Sequence, residues 1–221
     1  MHTPRIQETT EGIQDKITVA HYDEMQKNLC RAGVIPVQAL LQCGITTGSA
    51  LEIGPGPGYF GLEWLKSTEG SVLTGLEISP AMIRVAQKNA AAYGFSKRAH
   101  YQEGNAMSIP FDAGSFDAVF SNGSLHEWED PSAVFREISR VLKPGGRFCI
   151  TDLRRDLAPD IYKNMYESCQ PEEIRPGFVS SVRASYTKKE IEEILSSSGL
   201  AGWLVLAHRY GLMVSGRIPS A

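Results

Sequence analysis

The chain has 221 residues, with 22 Lys and Arg against 25 Asp and Glu and a formal charge of -3. That length suits one domain with a full core, and the lack of basic excess argues against a nucleic-acid backbone as partner, leaving a small molecule as the expected ligand. Residues 1–15 carry no apolar run behind basic residues and no later stretch has the apolar length of a bilayer span, so the expectation is a cytoplasmic protein without membrane attachment.

The pattern over 14–43 is helical, with Leu29, Val34, Val37, Leu40 and Leu41 as apolar positions and a break near Gly33 and Pro36, predicting two helices before the first strand. Strand, turn and helix then alternate: strands are predicted over 49–53, 72–77, 100–103, 116–121 and 147–152, and helices over 59–67, 80–93 and 131–142. Ser79-Pro80 and Asp130-Pro131 read as helix caps, each followed by a proline where its missing N–H costs nothing. Lys143-Pro144-Gly145-Gly146 is expected to end a helix through a left-handed turn. The segment after Asp152 is polar, with helical spacing at Ile161, Met165 and Cys169, and passes Pro171 and Pro176 to a helix over 188–197.

Two strands, 203–208 and 212–215, then follow with too short a link for a helical crossover. The predicted fold is therefore α/β: a doubly wound, mostly parallel seven-stranded sheet with one antiparallel strand near the edge. The four cysteines, Cys30, Cys43, Cys149 and Cys169, form no paired spacing and predict neither a zinc site nor a redox motif. No metal ligands are expected.

The densest signal is Leu51-Glu-Ile-Gly-Pro-Gly-Pro-Gly58, where the first strand meets the first sheet helix. Glycines there let the backbone turn tightly and let a ligand approach where a Cβ would collide. Gly56 to Gly61 fits the dinucleotide fingerprint literally, but its register is wrong, because Tyr59 falls where the third glycine belongs if Gly54 is the first. A phosphate loop lacks its Gly-Lys-Ser or Gly-Lys-Thr ending.

Glu52 with Gly54, Gly56 and Gly58 resembles the E/D-x-G-x-G-x-G motif of class I S-adenosylmethionine-dependent methyltransferases. Further segments are similar to the subgroup containing the ubiquinone and menaquinone C-methyltransferases: Glu77 at the end of the second strand, Glu103-Gly-Asn-Ala-Met-Ser-Ile-Pro-Phe111, Phe116-Asp-Ala-Val-Phe-Ser-Asn-Gly-Ser-Leu-His126 and Val141-Leu-Lys-Pro-Gly-Gly-Arg147. The resemblance implies a Rossmann-like methyltransferase fold over the single domain 1–221, with an N-terminal helical lid over 1–45 and an acceptor-side insert over 154–186.

It implies S-adenosyl-L-methionine as cofactor and a small-molecule acceptor. Glu52, Gly54, Gly56, Gly58, Glu77, Ile78, Asn105, Ala106 and Ser121 would bind the donor, Glu77 at the ribose hydroxyls and Asn105, in place of the usual aspartate, at the adenine amino group. His126, after the fourth strand, is expected to face the methyl group as a base, although a structural histidine beside Trp128 fits the sequence too. Tyr22 resembles lid tyrosines that close over the methyl. Tyr162, Tyr166 and Cys169 share a helical face that could wall an acceptor pocket, and Arg154 and Arg155 are candidates for an anionic acceptor, with surface roles as the alternative. A donor-binding regulator without turnover and a dinucleotide oxidoreductase stay open as other functions.

Overall fold

The computed structural model describes residues 4–8 and 11–220 of the chain. The first three residues of the expected lid, with Thr9 and Thr10, lie outside the described residues, as does Ala221. The elements are α1 (Lys16–Arg31), α2 (Val37–Gln42), β1 (Ser49–Ile53), α3 (Tyr59–Ser67), β2 (Val72–Glu77), α4 (Pro80–Ala92), β3 (Ala99–Glu103), β4 (Phe116–Asn122), α5 (Pro131–Val141), β5 (Leu142–Asp152), α6 (Pro159–Ser168), α7 (Arg175–Ala184), α8 (Lys188–Ser198), β6 (Trp203–Ala207) and β7 (Leu212–Arg217). Among the described residues no helix is long and apolar enough to cross a membrane.

The strands form one seven-stranded sheet in the order β3-β2-β1-β4-β5-β7-β6. β1 to β5 pair in parallel, while β7 runs antiparallel to both β5 and β6. The single reversed strand is thus one place in from the edge, as the short β6–β7 link requires. Chain order departs from β1 outward through β2 and β3, then returns to β4 on the other side of β1. That reversal opens a crevice beyond the carboxyl ends of β1 and β4, where ligands of open α/β sheets bind.

Both faces of the sheet are covered, so its strands read as nearly continuous apolar runs. Ala118 and Phe120 of β4 and Cys149 of β5 join Leu40, Phe60, Trp64 and Leu65 on the face of α2 and α3. Val119, Phe148 and Ile150 point the other way and pack with Phe135, Ile138, Ile191 and Leu195 of α5 and α8. The cap readings hold: Ser79 Oγ accepts from Met82 N at 3.2 Å, and Asp130 Oδ1 from Ala133 N at 3.0 Å.

Two boundaries differ from expectation. α5 stops at Val141 because Leu142 is already extended, and β5 begins there rather than at Arg147, with an irregular register between Phe116 and Ala118 on its partner. The second is α7, which the sequence pattern does not announce. Pro176 sits in its first turn, where proline is tolerated, and Gly177 follows, so residues that read as punctuation fall inside a helix.

Candidate functional site

The crevice is an open cavity of about 800 Å³, counting the solvent in its mouth. Gly54 and Gly56 form one wall at φ of +62° and +52°, a region that disfavours any side chain. At Gly54 a Cβ would sit 2.7 Å from the Ser124 side chain, whereas at Gly56 it would meet only the Tyr22 ring, 3.5 Å away. Glu77 lies at the end of β2 and lines the cavity. Its Oε2 accepts from Gly56 N at 2.9 Å and its Oε1 from Ser79 N at 2.9 Å, so one carboxylate ties the glycine loop to the start of α4. Burial pushes the Glu77 pKa up, and the backbone donors at Ser79, Gly56 and Ile78 oppose that push.

Ile78, Asn105 and Ala106 also line the cavity. Asn105 Oδ1 already accepts from Met107 N at 2.8 Å, closing a tight turn that holds the rim. Tyr22 reaches the cavity from α1, its hydroxyl accepting from Gln26 Nε2 at 3.2 Å. Burial raises the Tyr22 pKa, and the charge of Glu127 adds to the effect. Seven of the expected site residues therefore line this cavity: Tyr22, Gly54, Gly56, Glu77, Ile78, Asn105 and Ala106.

Four others lie behind it. Glu52 is buried under α3, where a Cβ on Gly61 would strike its Oε2 at 2.2 Å, and that oxygen has no hydrogen-bond partner. Burial raises its pKa to about 8, against a bond from Gly61 N–H. Gly58 caps α3 at φ +88°, leaving room for the Tyr101 hydroxyl, which a Cβ would meet at 2.7 Å. Ser121 is fully buried, its hydroxyl donating to Ile53 O at 2.7 Å. These three shape the loop rather than the cavity surface.

His126 stands apart from the cavity lining, in the position of the structural alternative the sequence also allowed. It occupies a 3₁₀ turn, Leu125–Glu127, with its ring buried away from the cavity wall. Its Nδ1 lies 2.9 Å from Asp152 Oδ1, and its Nε2 lies 3.4 Å from Glu8 Oε2. Burial works against its charged form, but the Asp152 carboxylate prevails and raises the pKa to about 9. The wall position expected of His126 falls to Glu127 and Trp128. Burial lifts the Glu127 pKa to about 7, with the His126 charge opposing and Glu8 adding to the rise.

Arg154 is paired with Asp156 at 2.6 Å and Arg155 with Glu190 of α8, so both are engaged in structural pairs. Tyr162 and Tyr166 stack with each other and against Phe178 of α7, away from the cavity-lining residues. Gly12, Ile13, Met82, Glu129 and Val134 also line the cavity without having been singled out from the sequence. Gly12 and Ile13 gave no signal because nothing in a polar N-terminal stretch announces that it will fold back over β2.

The model of the methyltransferase domain family matches residues 51–150. The methyltransferase YdaC of Bacillus subtilis, itself uncharacterized, is 34% identical over 126 residues, covering 56% of this chain and 67% of the relative. Demethylmenaquinone methyltransferase of Lactococcus lactis is 33% identical, covering 74% of this chain and 64% of that one. A solved structure from Methanococcus maripaludis, named as an S-adenosyl-L-methionine-dependent methyltransferase, aligns with a TM-score of 0.77 at 25% identity, covering 99% and 98% of the two chains. The chain spans from about a third to two thirds of the length of the curated relatives it matches.

Proposed function

The chain belongs to the methyltransferase-domain family, and from that membership we propose that it moves a methyl group from S-adenosyl-L-methionine to a small-molecule acceptor. The observation that carries this reading is the joining of a positive-φ glycine loop to Glu77 at the sheet's reversal point, on the wall of an open cavity. When bound, the cofactor supplies a methyl carbon on a positively charged sulfur.

Each wall residue then has a physical task. Gly54 and Gly56 admit the donor against bare backbone. Glu77 keeps lone-pair capacity beyond its backbone bonds to accept from ribose hydroxyls. Ile78 and Ala106 flank the adenine, with Asn105 at its edge. Tyr22 and Glu127 border the same cavity and help to enclose it. Methyl transfer gains most from holding acceptor, carbon and sulfur in line with water excluded, and the buried ring of Trp128 serves that exclusion. The acceptor is a small molecule rather than a nucleic acid, consistent with the net charge of -3.

Calorimetry with S-adenosylmethionine and S-adenosylhomocysteine tests the donor site. Both are expected to bind, and Glu77→Ala to weaken binding about 10- to 100-fold, the scale of hydrogen bonds to a charged partner. Unchanged affinity in Glu77→Ala removes the ribose role. Release of S-adenosylhomocysteine across an acceptor panel separates an enzyme from a donor-binding regulator.

A further inference from the structure

Beside the donor cavity, ionisable groups from distant parts of the chain converge. Glu8 from the N-terminal segment and His126 and Glu127 from the 3₁₀ turn bring two carboxylate oxygens and an imidazole nitrogen within 4.8 Å of one another. The imidazole is held from behind. Asp152 accepts from the backbone N–H of His126 at 2.7 Å and of Leu153 at 2.6 Å, and its two oxygens lie 2.9 and 3.0 Å from His126 Nδ1. A carboxylate so fixed keeps a proton on Nδ1 and turns Nε2 toward Glu8, the arrangement by which proteins orient metal-binding histidines.

One spacing on the open side, that of an ion pair if the imidazole is protonated, is also that of two ligands sharing an ion. His126 Nε2 and Glu8 Oε2 stand 3.4 Å apart. That exceeds the about 2.7–3.2 Å of a direct N–H···O bond. It matches the edge, about 3.3–3.5 Å, of a tetrahedron whose corners lie about 2.0–2.1 Å from a central zinc ion. Glu8 is oriented as well, since the Ser180 hydroxyl donates to its Oε1 and the Ser181 hydroxyl to its Oε2 at 3.3 Å. Charge points the same way: Glu8, Glu127 and Asp152 are gathered here, while Arg5, which donates to the His126 carbonyl at 2.9 Å, is directed over the Tyr186 ring.

We propose that Glu8, His126 and Glu127 form a binding site for a divalent transition-metal cation of the zinc class, with Asp152, Ser180 and Ser181 orienting its ligands. Three protein ligands leave a fourth position open, and Glu127, the one of the three that also lines the cavity, joins the site to it. The site rests on the methyltransferase reading for its purpose, and it favours an acceptor that offers an oxygen. A Lewis acid there eases breaking of the acceptor O–H bond, with the proton passing to water. The oxygen's electron pair then forms the new O–CH₃ bond, and the electrons of the breaking CH₃–S bond remain on sulfur.

The test uses full-length protein stripped of metal with a chelator. Calorimetric titration with Zn²⁺ and the visible spectrum of added Co²⁺ are read in wild type, Glu8→Gln, Glu127→Gln and His126→Gln, with folding checked by circular dichroism. One equivalent is expected to bind, with the intense Co²⁺ absorption of four-coordination, and each variant is expected to bind at least tenfold more weakly. Should His126→Gln fail to fold, the two glutamate variants decide. Absence of binding in wild type, or equal affinity in the glutamate variants, overturns the site. Binding abolished by thiol alkylation but not by these variants assigns the ion to cysteines and overturns it equally. Titration of the metal-stripped protein with S-adenosylmethionine reads the donor cavity alone, so failure of the cation site and failure of the methyltransferase reading give different results.

Discussion

Gly56 and Glu52 are both motif positions, yet they act through different physics. At Gly56 the φ of +52° and a Cβ position open except for Tyr22 mean that the protein itself has room for a side chain, which in the proposed reading would take the donor's place. Gly56→Val is expected to lose donor binding by at least 100-fold in calorimetry while costing about 1–3 kcal/mol of stability from its backbone conformation. Wild-type affinity in that variant would place the donor elsewhere. Glu52 acts through protonation. Its folded pKa of about 8 lies above its ordinary value of 4.5, so the fold binds its proton more tightly than the unfolded chain does. That stabilisation is fully present below about pH 4.5 and is lost as pH rises through about 8. Glu52→Gln keeps the neutral form at every pH. Its stability relative to wild type should therefore rise between pH 4.5 and 8 and level off above, by on the order of 3–5 kcal/mol in urea denaturation. A pH-independent difference would show that Glu52 is ionised in the fold.

Among elements, the junction of β2 and α4 carries the most consequence, because Ser79 serves two neighbours at once. Its hydroxyl caps α4 at Met82 N and donates to Ile13 O at 2.6 Å, anchoring the segment whose Gly12 and Ile13 wall the cavity. Ser79→Ala should cost about 0.5–2 kcal/mol through the lost cap. It should also weaken donor binding several-fold, by freeing the N-terminal segment. Calorimetry and denaturation of the same variant separate the two effects, and lost stability with unchanged donor affinity would show that the segment is held without Ser79. α7 has a comparable role on the other side of the site: Ile6 N donates to Arg183 O at 3.1 Å, and Ser180 and Ser181 hold Glu8. The insert thus secures the N-terminal segment, while its stacked tyrosines serve its own packing.

Across the whole molecule, one sheet joins two apolar layers, so the faces should not unfold separately. Phe120, fully buried in β4, packs edge-on to Phe60 at 5.4 Å between ring centres and lies 5.4 Å from Trp64. Phe120→Ala is expected to cost about 3–5 kcal/mol, the scale for emptying an aromatic site. The loss should appear as one cooperative urea transition shifted to lower concentration, with fluorescence and circular dichroism coincident. Two separated transitions would show that the layers are energetically independent.

What the amino-acid order determined by itself was local or periodic. The strand and helix alternation, the caps at Ser79 and Asp130, the reversed strand implied by the short β6–β7 link, and the glycine loop after β1 depend on neighbours within a few residues, where sterics and hydrogen bonding act directly. The motif pattern also marked Gly54, Gly56, Glu77, Ile78, Asn105 and Ala106, which the fold gathers at one cavity. Direction and long-range company were decided only in three dimensions. Whether His126 or Glu127 faces the cavity turns on a 3₁₀ turn, in which adjacent side chains point to different sides, and on the hold of Asp152, 26 residues away, over the imidazole. The approach of Glu8 to that histidine, of Gly12 to Glu77 and of Ile13 to Ser79 joins residues far apart in sequence. No periodicity encodes such a meeting, because it depends on how a polar segment packs against surfaces that exist only after the sheet has formed.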